Sequence, residues 1–276
     1  MKNNKSLGQH WLKNRAILDQ IAEYAIMPRE YLDVINDQEK KYETGVGVVE
    51  SASKSSDKQG CAVEIGPGLG TLTSSLLKRF NRVIAVEYDK NLANNLPKSF
   101  PGTNLEVVWA DFLSFDLNQI TEAYVAVGNI PYYITSPIIE KLLYAENTPK
   151  RIVLLIQKEV AERIISPRKS LLSLMVENRA NAYAGAIVSR NEFIPPPKVD
   201  SKVIIMEPHA PLVREEVFGL IKVGFSSPRK KLLHNLVHLR PAKTLKEIFV
   251  ELGISLGARP ADLSLLDWER LYQRLK

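Results

Sequence analysis

A doubly wound α/β sheet followed by a small basic helical domain is the fold class this sequence predicts, on three observations. Short apolar runs such as CAVEI, RVIAVE, YVAVGN and RIVLLI alternate with segments of helical spacing between residues 61 and 156. Strands of a parallel sheet are covered on both faces, so they read as nearly continuous apolar runs, and their crossovers are helices. A glycine-rich turn, GPGLG, falls between the first such strand and the first such helix. Beyond the linker-like EPHAP, three further segments have helical spacing and the charge turns strongly basic.

Taken in order, residues 14–27 place Ile17, Leu18, Ile21, Tyr24 and Ala25 on one helical face after an Asn14 cap. The basic arm before it is expected to stay unstructured until it binds. Residues 28–60 are polar, with seven acidic and five basic groups and the stretch SASKSSDKQG, and predict a surface insertion. An α/β core of strands and helices then runs over 61–209: helices at 71–79 and 90–100, a third strand LEVVWA, and a helix opened by Ser136 as cap with Pro137 in its first turn. AYAGAIVS and KVIIMEP, either side of PPPKVDS, predict two more strands closing the sheet. Residues 210–276 form the predicted small helical domain, with helices over 213–223, 230–238 and 244–252.

The 276 residues are 45% apolar and 25% charged, a composition too apolar for a disordered chain and too polar for a membrane-embedded one. One cysteine, Cys61, excludes an internal disulfide framework, and four histidines cannot build a zinc cluster with it, so no metal site is expected. Cys61 reads as a small buried hydrophobe in a reducing, cytoplasmic compartment. No apolar run is long enough to span a bilayer. Of the net charge of +6, residues 211–276 carry +5, with twelve Lys/Arg against seven Asp/Glu and the run Arg229, Lys230, Lys231. A localised basic stripe is the footprint of a polyanion partner, because Lys and Arg replace counterions condensed on phosphates. The plainer reading of the same run is a solvated helix face.

The turn VEIGPGLG holds Glu64, Gly66, Gly68 and Gly70 where glycine lets a ligand approach the backbone. Glu87 ends the next strand, 19 residues after Gly68, the separation at which such folds set a carboxylate against ribose hydroxyls. Asp111 follows the third strand, where it can accept from an adenine amino group. These acceptors suit an adenosine-containing cofactor. Thr71 stands where a dinucleotide fingerprint has its third glycine, and the acidic Glu64, entering the loop from the strand side, would oppose a pyrophosphate while favouring a sulfonium or an α-amino group. S-adenosylmethionine is preferred on that sign argument.

Asn129, Ile130, Pro131 and Tyr132 close the fourth strand, at the sheet edge where ligands of such folds bind. The tetrapeptide suits an exocyclic amine, whose lone pair is delocalised into its ring until acceptors draw the nitrogen towards tetrahedral geometry. The Asn129 side-chain oxygen and the Ile130 carbonyl are those acceptors, Pro131 fixes the turn and Tyr132 can stack on the base. Phe193, in EFIPPPKVDS, is expected to cover the other face of that base, with packing in the core as its plainer reading. Trp11, Trp109 and Trp268 read as structural.

LGQHWLKN, VEIGPGLG, VIAVEYD, GNIPYYITSPI, FIPPPKVDS and ARPADLSLLDWERL together resemble the KsgA-type small-subunit ribosomal RNA adenine dimethyltransferases. The resemblance runs through most of the chain and implies a Rossmann-like class I S-adenosylmethionine methyltransferase with a small C-terminal all-helical domain. It implies cofactor contacts from His10, Leu12, Gly66, Gly68, Glu87, Asp111 and Asn129, and base handling by Asn129, Ile130, Pro131, Tyr132 and Phe193. Family members place four methyls on two adjacent adenosines of a hairpin loop near the 3′ end of 16S ribosomal RNA while the 30S subunit assembles. The basic run Arg229, Lys230, Lys231 is then expected on the RNA, and the chain is expected to be a monomer away from any membrane. His10 departs from the commoner Asn and Trp11 from Phe, and the 28–60 segment is longer than usual. The nearest rival is the related family that methylates one adenosine of large-subunit RNA and confers macrolide resistance; PPPKVDS and RPADLSLLDWERL favour the small-subunit enzyme. A non-catalytic RNA-binding assembly factor is disfavoured by intact Glu87, Asp111, Asn129 and Tyr132, and an oxidoreductase by the glycine pattern.

Overall fold

In the computed structural model, which describes residues 9–32 and 58–276, the chain divides into two compact units. The first covers Met1–Ala161 and Ala182–Pro208, the second Glu162–Asn181 and His209–Lys276. The boundary is therefore not a single cut near residue 209: a helical excursion in the middle of the chain groups with the C-terminal helices. Residues 33–57, the bulk of the expected insertion, lie outside the described residues. Its edges are corrected by what is described, since Leu32 is buried in the core of the first unit and Gln59 and Gly60 already belong to a strand.

The first unit is built on a seven-stranded sheet of order β4-β3-β2-β5-β6-β9-β7. Its strands are β2 (Gln59–Ile65), β3 (Phe80–Glu87), β4 (Leu105–Trp109), β5 (Tyr124–Asn129), β6 (Arg151–Gln157), β7 (Ala180–Val188) and β9 (Ser201–Pro208). Parallel pairing joins β4 to β3, β3 to β2, β2 to β5 and β5 to β6, while β9 runs antiparallel to β6. The chain winds outwards from β2 on one side and from β5 on the other. The crevice between the carboxyl ends of those two strands is thus the topological switch point at which such sheets bind ligands.

A second, two-stranded ribbon was not expected. β1 (Trp11–Leu12) pairs antiparallel with β8 (Phe193–Ile194), so the end of the N-terminal arm is strand and not loose chain. From there Asn14 caps α1 (Arg15–Tyr24), its side chain accepting from the amides of Ala16 and Ile17, and α1 buries Leu18, Ile21, Ala22 and Tyr24. The far end of α1 is held by Arg151, which donates to the carbonyls of Tyr24 and Met27 and pairs with Glu207. The crossover helices are α2 (Thr71–Leu76), α3 (Lys90–Ser99) and α4 (Thr135–Tyr144). Asp89 caps α3 by accepting from Asn91 and Leu92. α4 starts one residue before the expected Ser136 cap, because a 3-10 turn at Tyr132–Ile134 runs straight into it and no side chain caps it. Cys61 is buried at the start of β2, and burial pushes its thiol up to about 12.

α5 (Lys158–Ile165) leaves the first unit for the second, which continues through α6 (Leu171–Arg179), α7 (Glu215–Gly224), α8 (Leu232–Leu236), α9 (Ala242–Glu251) and α10 (Leu265–Leu275). Trp268 is its central side chain, fully buried against Gly224, where a Cβ would lie 2.2 Å from the ring. The capping box of Ser264 and Asp267 starts α10. No helix among the described residues is long and apolar enough to cross a membrane.

Candidate active site

A cavity of about 300 Å³ opens at the carboxyl ends of β2, β3, β4 and β5. Four strands deliver its wall, because each apolar run ends with a short polar stretch as the chain leaves the sheet. Gly66, Glu87, Asp111, Asn129, Ile130, Pro131 and Tyr132 all line it, and the arm brings His10 into the same wall.

Glu87 is nearly buried at the end of β3, and its two carboxylate oxygens accept from the Gly68 amide at 2.9 Å and the Asp89 amide at 2.8 Å. Burial raises its pKa, and these amides oppose that shift. The paired amides orient the carboxylate while each oxygen keeps a second lone pair for a ligand hydroxyl. Gly68 itself does not line the cavity. Its φ of +57° and the Trp11 ring, whose Nε1 would lie 3.1 Å from a Cβ there, explain why glycine is required. Asp111 also lines the cavity and is exposed, one oxygen accepting from the Leu113 amide at 2.9 Å.

The Asn129 side chain donates through Nδ2 to the His10 carbonyl at 3.0 Å. A carbonyl can only accept, so this bond fixes which end of the amide carries hydrogen and leaves Oδ1 as a free acceptor in the cavity wall. The Tyr132 hydroxyl is 2.7 Å from the hydroxyl of Ser201 at the start of β9, which anchors the ring, and burial raises the phenol's pKa so that it stays neutral. The His10 ring lies nearly parallel to that of Tyr132, with centroids 6.1 Å apart and planes 23° apart.

Four expectations are corrected besides that for Gly68. Phe193 is only 2% exposed, packs within the core and pairs with Leu12 across the β1–β8 ribbon, so its ring is not on the cavity and packing explains it. Leu12 is equally buried and does not line the cavity. Glu64 does not face the loop: it is buried on β2, accepts from the Thr73 hydroxyl at 2.6 Å, and has its pKa raised to about 8, chiefly by burial. The sign argument built on it therefore falls, and the cofactor preference stands on other grounds. Trp11, read as structural, lines the cavity instead, as do Gln9, Tyr88, Phe112 and Tyr133. Trp11 was legible through its place beside His10 in the N-terminal motif, and Phe112 through its position after Asp111. Arg229, Lys230 and Lys231 are exposed in the second unit between α7 and α8, with Lys230 Nζ 3.1 Å from His234 Nε2. Among the described residues no group of three or more His, Cys, Asp or Glu side chains could hold a metal.

The donor and acceptor set fits an adenosine-bearing cofactor. Carboxylates of Glu87 and Asp111 are acceptors for hydroxyls and an amino group, and Ile65, Val86 and Phe112 supply apolar surface for a ring between them.

A family model described as ribosomal RNA adenine dimethylase matches residues 1–276. A ribosomal RNA small subunit methyltransferase A of Picosynechococcus sp. is 34% identical over 298 aligned positions, spanning 100% of this chain and 98% of that protein. Its counterpart in Mycoplasmopsis synoviae is 34% identical over 269 positions, with 95% and 92% covered. A dimethyladenosine transferase from Plasmodium falciparum superposes with a TM-score of 0.72 at 26% identity, covering 95% of this chain and 96% of that one. The 23S rRNA methyltransferase ErmE superposes with a TM-score of 0.68 at 27% identity, covering 96% and 99%.

Proposed function

The chain belongs to the ribosomal RNA adenine dimethylase family, and on that premise we propose that its cavity presents the N6 amine of an adenosine to S-adenosylmethionine through Asn129, Ile130, Pro131 and Tyr132. The enzyme is an S-adenosylmethionine-dependent adenine N6,N6-dimethyltransferase of small-subunit ribosomal RNA. Its targets are two adjacent adenosines in the hairpin loop near the 3′ end of 16S RNA, modified during assembly of the 30S subunit. The fold is shared with a large-subunit enzyme and so does not choose between substrates; the full-length sequence relatives favour the small-subunit one.

The observation that carries the reading is the oriented amide of Asn129 beside the anchored Tyr132 ring. Glu87 and Asp111 would hold the ribose and adenine of the cofactor, which supplies an electrophilic methyl on a sulfonium. Asn129 Oδ1, with the Ile130 carbonyl, accepts from the substrate amine and draws its nitrogen out of conjugation. Tyr132 supplies a face on which the base stacks. Positioning of this kind, with fixed dipoles at the developing charge, does most of the catalytic work when the leaving group is already good. Arg229, Lys230 and Lys231 in the second unit serve as RNA contacts, and the protein works as a cytoplasmic monomer.

The test is incubation with radiolabelled S-adenosylmethionine and small subunits lacking the modification, followed by mass-spectrometric mapping of labelled nucleosides. Two adjacent dimethyladenosines in the 3′ hairpin are expected. Label confined to large-subunit RNA would replace the reading with the resistance-type activity, and tight subunit binding without label would leave an assembly factor.

A further inference from the structure

We propose that the exposed aromatic rim of the cavity, with Tyr133 on one side and Trp109 on the other, is a stacking platform for the unpaired nucleotides that flank the target adenosine. The inference rests on the reading of the cavity as the site of adenine methylation in a ribosomal RNA loop, and it adds an RNA surface distinct from the basic run Arg229, Lys230, Lys231.

Of the Phe, Tyr and Trp side chains among the described residues, three are exposed: Tyr88 at 61%, Trp109 at 57% and Tyr133 at 65%. All three stand at the carboxyl edge of the sheet. Tyr88 follows β3, Trp109 ends β4 and Tyr133 follows β5, and Tyr88 and Tyr133 also line the cavity. Rings left singly in water are ordinary, whereas rings gathered around one opening mark a contact face.

The local structure holds these rings out. Trp109 Nε1 donates to the Tyr88 carbonyl at 3.1 Å, which fixes the indole beside the cavity. Tyr133 is the middle residue of the 3-10 turn Tyr132–Ile134, in which the ring of Tyr132 is anchored on Ser201 and the next ring is presented to solvent. The Tyr133 side chain makes no hydrogen bond or ring contact among the described residues.

An occupant of this rim must offer flat faces and negative charge. Lys90 Nζ lies 4.7 Å from the centroid of the Trp109 ring, and Lys141 Nζ reaches the Leu113 carbonyl in the cavity wall at 3.1 Å. Unpaired nucleotides meet both demands, since every base has a π face and its phosphate suits an ammonium. They are also what the reaction creates: drawing one adenosine into the cavity strips its neighbours of a stacking partner, and a ring at the mouth replaces it. In the sheet β4 and β5 are three spacings apart, or about 14 Å along the edge, so the two platforms take different nucleotides. Tyr133, next in sequence to the residues that handle the target base, takes the adjoining adenosine, and Trp109 takes a nucleotide further along the loop.

The test measures binding of the full chain, and of Tyr133→Leu, Trp109→Leu, Tyr133→Phe and Trp109→Phe, to a synthetic RNA hairpin with the two target adenosines in its loop. Each Leu variant keeps apolar bulk without a π face and should bind about fivefold or more weakly, the low end of the loss for one base stack, while each Phe variant should stay within about twofold. The loss should be the same at every salt concentration, because stacking releases no counterions, whereas removing a basic contact changes the slope. Replacing one of the two adenosines by an abasic nucleotide, so that the other is the target, should weaken binding to the unaltered chain and leave binding to Tyr133→Leu unchanged. A merely structural tyrosine would not produce that pattern. Affinity for S-adenosylmethionine and the thermal midpoint should not change. Unchanged RNA affinity in either folded Leu variant, or a loss of S-adenosylmethionine affinity in place of RNA affinity, would overturn the platform while leaving the dimethylase reading standing. The expected losses in a chain that places no methyl on adenine N6 would do the reverse. Should one Leu variant fail to fold, the other ring and the abasic hairpin decide.

Discussion

Asn129 is useful to the proposed reaction because its two ends are no longer interchangeable: Nδ2 is committed to the His10 carbonyl, so Oδ1 is the end left to accept. Asn129→Ala should lower single-turnover methyl transfer by about 100- to 1,000-fold, the usual effect of deleting one preorganised polar group, while the melting temperature holds. Near wild-type turnover in the folded variant would remove the role. Glu64 gives a prediction about stability. Its folded pKa of about 8 lies above the ordinary 4.5, so between those values the folded state holds a proton that the unfolded state has released. Its contribution is therefore complete below about pH 4.5 and is lost as pH rises towards 8. Glu64→Gln, which keeps an acceptor for Thr73, should flatten that part of the stability profile in urea titrations across the window. Residues at strand ends were legible as a set, because the switch-point topology collects them whatever their exact rotation. What sequence could not reveal was the side of the strand on which an individual acid emerges, which is why Glu64 was read into the glycine loop. Phe193 was misread for a related reason: nothing local to FIPPPKVDS reveals that it pairs with Leu12.

Elements were largely readable wherever an apolar period and a cap agreed, as at Asn14 before α1. They were missed where the signal is two residues long and the partner is remote, as in the β1–β8 ribbon. The start of α2 depends on Gly70, whose φ is +81° and whose Cβ would lie 2.6 Å from Leu96 and 2.8 Å from Phe100 of the neighbouring helix and its cap. Gly70→Ala combines left-handed strain with overpacking and should cost about 2–4 kcal/mol in chemical denaturation. Arg151 performs the opposite service at the end of α1, tying the carbonyls of Tyr24 and Met27 to Glu207. Arg151→Ala leaves a mostly buried carboxylate with the looser Arg29 pair at 3.6 Å and removes the tie to the end of α1, and it should destabilise by about 3 kcal/mol. Arg151→Lys, which cannot bridge all three groups, should recover only part of it.

Across the whole molecule, charge is segregated: most of the net positive charge lies in residues 211–276, away in sequence from the strand ends that build the cavity. Replacing Arg229, Lys230 and Lys231 together with Gln should weaken RNA binding and lower the slope of log affinity against log salt by roughly 2, at ~0.7–0.9 for each phosphate contact released. Filter binding at several salt concentrations measures this, and an unchanged slope would take these residues off the RNA. The division into two units was only half visible, since charge and periodicity mark the C-terminal helices but not the adherence of 162–181 to them. The β1–β8 ribbon also sets an order of events during synthesis. His10 meets Pro195 across 185 residues of chain, so the wall it provides cannot close until the ribosome has made about seven-tenths of the protein. A nascent chain emerging from the tunnel can fold its central strands early and still lack a finished cavity, so the enzyme acquires its competence only late in its own translation.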